Sequence, residues 1–299
     1  MSTVAAPAPR SRMRWGRLAR RHAWTGGVYV LLAVLLLYWQ TIPENWGTFD
    51  VQSLAIDALP FAFAAMAQAV VIISGGIDLS VGSMMGLVNV LSAKYMFDAA
   101  TGQAVSFEEA IVLSIVLILG AALAGALTGL IITVTKVADI IVTLAMLFVW
   151  GGAALAVMQI PGGGAPLEFG KLAIGYTFTP WLPSGLVILA AVVCLVWVPF
   201  RWRRPGLALT ATSGIGDALS GQYYTLNSVA AAVLGGVALV GGVGGLVGPI
   251  AAAFVLTLVK SIMILKGVDQ NWAQVIQGTL IVLVVMIGGL ALRQRGKHP

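Results

Sequence analysis

The chain has 299 residues, 59% of them hydrophobic and only 9% charged, and its mean hydropathy is +0.97. Soluble domains carry about 25% charged residues, so the composition excludes a soluble globular protein and predicts an all-α, polytopic integral membrane protein. The single cysteine, Cys194, cannot form an intramolecular disulfide, and both histidines lie in the basic stretches near the termini. We therefore expect no metal site and no histidine-based catalysis.

Positive charge is concentrated beside the apolar segments. Such clusters mark the cytoplasmic ends of membrane spans and contact anionic lipid headgroups, and they do not form the folded basic patch that nucleic acid would need. We expect a basic cytoplasmic tail over residues 1–23, one transmembrane domain over 24–293 and a second cytoplasmic tail over 294–299. The basic residues concerned are Arg10, Arg12, Arg14, Arg17, Arg20 and Arg21, then Arg201, Arg203 and Arg204, and finally Arg293, Arg295 and Lys297.

Taken in chain order, the apolar runs predict about eight membrane segments, with both termini on the cytoplasmic side. Acidic or Pro/Gly-rich loops join the segments on the outer side, and two ordinary spans end the chain. The first six segments are about 26–42, 51–73, 81–97, 110–134, 140–158 and 184–200, the outer loops are 43–50, 98–109 and 160–183, and the last spans are 247–265 and 274–292.

The stretch Ser74–Gly82, with the sequence SGGIDLSVG, interrupts two apolar runs where a membrane helix should continue. Lipid offers no water to the freed backbone groups, so such a break survives only inside protein or beside a cavity. An acid at this depth is costly and is a functional hypothesis by default. We expect a broken or re-entrant helix pair. Its candidate site residues are Gly75, Gly76, Asp78, Ser80 and Gly82, with Gln68 and Asn89 in the flanking spans.

Two interpretations of Asp78 stay open. As a helix cap, Asp78 or Ser80 would accept hydrogen bonds from the first free amides of the following half-helix. As part of a translocation path, the positive end of that half-helix would face the transported solute. For Gln68 and Asn89, interhelical hydrogen bonding is the simpler expectation.

The glycine-rich stretch Ser228–Leu246 creates a topological problem. An even number of crossings must join the cytoplasmic Arg204 to the cytoplasmic Arg293, and the last two spans already supply two. The stretch therefore either enters and leaves on one side or crosses without a partner, because residues 205–227 contain no convincing span. Its glycines favour close packing with a re-entrant turn, or else a gating hinge. The glycines concerned are Gly235, Gly236, Gly241 and Gly242.

The motif GGIDLSVG at Gly75–Gly82 resembles that of the permease subunits of bacterial sugar ABC importers, of the ribose, xylose and galactose type. The resemblance implies a pore formed by two permease chains, identical or different, in the bacterial inner membrane. It continues in order along most of residues 50–292, in Ile141–Leu144 (IVTL), Gly162–Gly164 (GGG), Tyr224–Gly236 (YTLNSVAAAVLGG) and the glycine series Gly241–Gly248.

The same resemblance implies a division of labour. A periplasmic or lipid-anchored sugar-binding protein would deliver the solute, and a cytoplasmic ATPase would use the ATP. This chain would then be no enzyme and need no cofactor, which agrees with a sequence that contains no P-loop. In this setting Gln68 and Asn89 could also contact the sugar. The turn at Arg201, Arg203 and Arg204 is most simply a topology anchor, with ATPase contact as the alternative.

The chain departs from the family after Arg204. Members usually continue with a cytoplasmic segment that docks on the ATPase and with another span, and residues 205–216 stand here in place of both. The missing material amounts to a cytoplasmic helix and one span of about 20 residues, which is the crossing that the topology lacks unless Pro205–Thr225 crosses the membrane in an unconventional way. The alternatives are a degenerate or partner-dependent permease subunit and an ion-coupled secondary transporter, which would need paired intramembrane acids.

Overall fold

The computed structural model describes residues 12–44, 46–98, 101–175, 179, 181–202, 220–239, 241–242 and 244–295. Ten α-helices and one strand pair form the secondary structure of these residues. The helices are α1 (Arg12–Trp39), α2 (Thr48–Ile73), α3 (Val81–Tyr95), α4 (Phe107–Thr135), α5 (Asp139–Val157), α6 (Leu167–Ile174), α7 (Ser184–Trp202), α8 (Ser220–Leu234), α9 (Val247–Leu265) and α10 (Gln270–Arg295). The antiparallel strands β1 (Phe97–Asp98) and β2 (Gln103–Ala104) close the loop between α3 and α4.

The all-α membrane architecture expected from the composition is confirmed. Among the described residues, α2, α4, α5 and α9 are long and apolar enough to cross a membrane. Two shorter apolar helices, Thr25–Trp39 and Ser184–Val196, accompany them. The expected number of about eight spans stays a prediction.

Helix α2 lies at the centre of the bundle. In its most apolar window 78% of the residues are buried, against 6% for α4 and 11% for α5. Small side chains let α2 approach α8 and α9 closely, and Ala62, Ala231 and Ala252 are fully buried in their shared core. Helices α4 and α5 instead expose leucine, isoleucine and valine side chains, as lipid-facing helices do.

Three tryptophans define one end of the bundle, which we call the tryptophan end. Trp39 ends α1, Trp46 precedes α2 and Trp181 precedes α7. The ring centroids of Trp39 and Trp46 are 6.4 Å apart in an edge-on arrangement, and the rings of Trp46 and Trp181 stack at 5.1 Å. Tryptophan is enriched at membrane–water interfaces, so its concentration here is consistent with a helix end at headgroup level.

The opposite end, which we call the glycine end, contains the break after α2, the start of α5 and the loop between α8 and α9. The amide of Gly242 donates to the carbonyl of Ile73 at 2.9 Å, and the amide of Ile77 donates to the Asp139 side chain. Helix α2 therefore runs from the tryptophan end to the glycine end, where the chain turns back into α3.

Helices α7 and α8 run in the same direction. Helix α7 begins at the tryptophan end, whereas α8 ends at the glycine end. Tyr224, near the start of α8, lies beside Phe61, which is about 18 Å along α2 from Ile73. The chain that joins these two helices is the region in which the sequence-based count lacks a crossing. Residues 203–219 themselves lie outside the described residues.

Three boundaries differ from the expectations. Helix α1 begins at Arg12, inside the region expected to be a tail, and the loop 160–183 contains α6. The stretch Ser228–Leu246 is divided in the structure: α8 begins before it, at Ser220, and ends at Leu234, and the glycine-rich part joins α8 to α9. Polar side chains in α8 donate to carbonyls about one turn earlier, as Asn227 Nδ2 does to Tyr223 at 2.7 Å, so their donors are satisfied within the helix.

Candidate functional site

The break after α2 begins with a Schellman turn. Ser74 is the C-cap, and Gly75 has a φ of +96°. The amide of Gly75 donates to the carbonyl of Ile72 at 2.9 Å, and that of Gly76 donates to the carbonyl of Val71 at 3.1 Å. A left-handed residue is needed at this position and glycine adopts that conformation without a Cβ penalty, which explains the first glycine of the motif.

The Asp78 carboxylate orders the loop before α3. Its Oδ1 accepts hydrogen bonds from the amide and the hydroxyl of Ser80, both at 2.7 Å. Ser80 is the N-cap of α3 but makes no side-chain cap bond, and Gly82 is buried in the first helical turn. Asp78 thus holds the N-cap residue itself, whereas the cap interpretation expects bonds to the first amides of the helix.

Asp139, at the start of α5, joins the break to a distant part of the chain. Its Oδ2 accepts a hydrogen bond from the amide of Ile77 at 2.6 Å, and the Thr143 hydroxyl, one turn later, donates to the carbonyl of Ile77 at 3.2 Å. A Cβ on Gly76 would lie 3.0 Å from the same Asp139 oxygen. Sequence analysis missed Asp139, although an acid in the first turn of a helix at this end was a usable signal.

Helix α8 ends in the same way as α2. The amide of Gly236 donates to the carbonyl of Val233 and that of Val237 to the carbonyl of Ala232, both at 3.0 Å, and Gly236 has a φ of +93°. A Cβ on Gly235 would collide with the backbone of Gly248 and Pro249 at the start of α9. The sequence pattern of paired glycines therefore builds two similar Schellman turns, one after each helix.

The two glycine turns touch each other. Gly241 and Gly242 both have positive φ values, of 84° and 75°. The amide of Gly242 donates to the carbonyl of Ile73 at 2.9 Å, and a Cβ on Gly241 would lie only 2.9 Å from the Cα of Gly75. The structure thus brings the predicted broken helix and the predicted glycine region into one site at the glycine end.

Gln68 and Asn89, the polar residues of the flanking helices, are both buried, at 0% and 5% exposure. Neither the amide nitrogen nor the amide oxygen of Gln68 has a hydrogen-bond partner, so the interhelical bond expected for Gln68 is not formed. A buried unsatisfied polar group costs about 1–3 kcal/mol. Gln68 therefore holds unused donors and an unused acceptor inside the bundle.

The arginines expected either to anchor the topology or to contact the ATPase lie at and after the end of α7. Arg203 and Arg204 lie outside the described residues, and Arg201 lies in the last turn of α7 with its side chain likewise outside the description. Within the described part of the chain, no three histidine, cysteine, aspartate or glutamate side chains come together as metal ligands would.

Comparison with known proteins gives relatives over almost the whole chain. The chain is 27% identical to a probable ABC transporter permease of Sinorhizobium fredii, covering 89% of each protein. It is 26% identical to the ribose import permease of Escherichia coli, covering 86% of this chain and 91% of that one, and 26% identical to the autoinducer 2 import system permease of Yersinia pestis, covering 93% and 94%. No family model and no solved structure matches.

Each alignment has more positions than this chain has aligned residues, so some residues of the relatives have no counterpart here. In the comparison with the S. fredii protein, 89% of 299 residues is about 266, so about 47 of the 313 aligned positions have no residue here.

Proposed function

The chain is a transmembrane permease subunit of the ABC-importer class, and from this premise we propose that it forms the sugar-conducting pore of a bacterial importer. As a permease subunit it is a transport component, not an enzyme. Two of its relatives are named for the import of ribose and of autoinducer 2, which supports a small polyhydroxylated solute.

The proposed complex contains two permease chains, a cytoplasmic ATPase and a sugar-binding protein outside the membrane. The ATPase binds and uses the ATP, and this chain carries no cofactor. Both termini face the cytoplasm of the inner membrane, which puts the glycine end on the cytoplasmic side and the tryptophan end on the outer side. The basic residues at the two ends of the chain support this orientation.

The observation that carries the proposal is the contact between the two glycine turns around Gly75 and Gly241. Non-helical backbone at a membrane helix end is tolerated where protein surrounds it or water reaches it. In the proposed mechanism the hairpins α2–α3 and α8–α9 move as rigid units that pivot at this contact, while Asp139 keeps α3 attached to α5. The turn residues from Gly75 to Gly82 border the path at its cytoplasmic end, as broken helices do in other transporters.

ATP-dependent uptake tests this proposal. Vesicles that contain the permease and its ATPase, supplied with the sugar-binding protein, should accumulate radiolabelled D-ribose, D-xylose or D-galactose when ATP is enclosed, and should not do so when it is absent. Vesicles without the permease are the control. A flat trace for every sugar, with the complete complex assembled and ATP present, refutes the proposed function.

A second candidate is a partner-dependent subunit that does not transport alone. The specific observation in its favour is the shortfall of aligned positions, since a shortened chain lacks part of what its relatives contain. Under this alternative, vesicles with this chain as the sole permease would be inactive, and a partner permease would restore or by itself provide uptake.

A further inference from the structure

A group of aromatic, charged and amide side chains lies in the outer part of the bundle, far from the glycine turns. Four helices supply it, and we call it the Tyr223 cluster. Its members are Asp57 and Phe61 on α2, Tyr223 and Tyr224 on α8, Lys260 on α9 and Gln277 on α10.

Close contacts hold the cluster together. The Lys260 ammonium lies 5.0 Å from the ring centroid of Tyr223, and the Tyr223 hydroxyl donates to Oε1 of Gln277 at 3.1 Å. The rings of Tyr223 and Tyr224 meet edge to face at 5.5 Å, and Phe61 lies within 6.5 Å of both. Asp57 is on the same face of α2 as Phe61, one turn earlier, and carries the charge opposite to that of Lys260.

The two charges of the cluster lie inside membrane helices. Asp57 is about 14 Å along α2 from Thr48, and Lys260 is about 8 Å along α9 from Leu265. The Asp57 side chain is exposed at the surface of this chain, and that of Lys260 is half-buried. Charged groups at this depth in lipid are costly and face a cavity, a water-filled path or a partner instead. The exposed Asp57 carboxylate therefore marks a position that meets water or protein.

The cluster also has unused hydrogen-bonding capacity. Gln277 is 1% exposed, and its Nε2 has no partner although its Oε1 accepts from Tyr223. A donor thus remains beside the aromatic rings, where a ligand that carries an acceptor could use it.

We propose that the Tyr223 cluster is a transient contact site for a neutral sugar ring within the membrane. A sugar presents faces of C–H groups, which fit the electron-rich faces of tyrosine rings, and an edge of hydroxyl groups, which both donate and accept hydrogen bonds. Asp57 accepts from hydroxyls, Lys260 and Gln277 donate to them, and the opposite charges of Asp57 and Lys260 leave the site without net charge. This inference rests on the proposed function and adds the place where the pore touches its solute.

Uptake kinetics test the role of the ring. In vesicles with the complete importer, Tyr223→Leu should lower sugar uptake per ATP hydrolysed by about tenfold, the change that one lost aromatic contact would cause. Tyr223→Phe, which keeps the ring, should retain most uptake. Equal losses in both variants would assign the effect to the hydroxyl bond with Gln277 and overturn the stacking role.

A matched control lies at the tryptophan end. There the Lys266 ammonium lies 5.9 Å from the ring centroid of Tyr38, a pair of the same residue types outside the cluster. Tyr38→Leu should leave uptake per ATP unchanged. An equal loss in Tyr38→Leu and Tyr223→Leu would show a general effect of removing tyrosine from the bundle and would overturn the proposal.

Labelling gives a second measurement that does not depend on transport rates. In a Cys194→Ser background, Lys260→Cys should react with a membrane-impermeant thiol reagent, and the transported sugar with its binding protein should slow that reaction. If the cysteine does not react, with or without nucleotide, position 260 lies in lipid. If it reacts at the same rate with and without sugar, the position meets water but not sugar. Either result overturns the inference. If either result is found while wild-type vesicles take up sugar normally, only the role of the Tyr223 cluster is refuted. If wild-type vesicles take up no sugar, the proposed function is refuted as well.

Discussion

Removing the Asp139 carboxylate should loosen the break after α2. The carboxylate accepts a hydrogen bond from the Ile77 amide at 2.6 Å and, together with the Thr143 hydroxyl, links the start of α5 to this loop, 62 residues away. A hydrogen bond to a charged group contributes about 1.5–3 kcal/mol, so Asp139→Ala should raise the local opening equilibrium of the loop by about ten- to a hundredfold. Asp139→Asn keeps a neutral acceptor and should lose roughly half of that free energy.

Hydrogen exchange in purified protein, followed by mass spectrometry of peptides that cover residues 74–80, measures this opening. Exchange should accelerate in the order wild type, Asp139→Asn, Asp139→Ala. Asp50→Asn is the control, because Asp50 accepts the Gly47 amide at 2.9 Å within one local turn at the tryptophan end. Unchanged exchange of the loop in Asp139→Ala, or the same acceleration in Asp50→Asn, would refute the reasoning.

Three further substitutions follow from the same geometry. Gly241→Ala should lower the midpoint of thermal unfolding more than Gly242→Ala does. Both substitutions place a side chain on left-handed backbone, but only Gly241→Ala puts a Cβ 2.9 Å from the Cα of Gly75 in the first turn. Equal shifts of the midpoint would contradict the contact between the turns. Gln68→Leu should raise the unfolding midpoint, since it removes two unsatisfied buried atoms at a gain of about 1 kcal/mol, and a lowered midpoint would reveal a partner. Gly163→Ala should be strongly destabilising, because its Cβ would collide with the backbone of α3. Gly162→Ala should be tolerated, because its Cβ meets nothing closer than 3.9 Å. Similar unfolding midpoints for the two variants would refute the contact between Gly163 and α3.

The direction of α8 links the local structure to the topology. Tyr223 and Tyr224 lie level with Phe61 and Lys260, while the other end of α8 reaches the start of α9. Helix α8 therefore runs beside the second half of α2 to the glycine end, with only 15 described residues and little hydrophobicity. Its small and polar residues are compatible with this position because it packs against protein rather than lipid.

The sequence by itself determined the features that depend on composition and on local backbone preference. A chain with only 9% charged residues must bury most of its surface in lipid or in contact with other parts of the protein, and this composition alone predicted a membrane protein. The paired glycines Gly75 and Gly76 predicted where the preceding helix ends, because the left-handed conformation is accessible to glycine without strain. The helix that begins at Val81 and the one that ends at Ile73 agree with the predicted break.

Only the tertiary structure decided which of these local features meet. Asp139 and Ile77, Gly241 and Gly75, and Tyr223 with Gln277 are each separated by at least 54 residues along the chain. Contacts of this kind depend on how helices pack and in which direction they run, and hydrophobic runs carry no information on either. For the same reason the start of α8 was misplaced: hydropathy records affinity for lipid, and this helix is held by neighbouring protein.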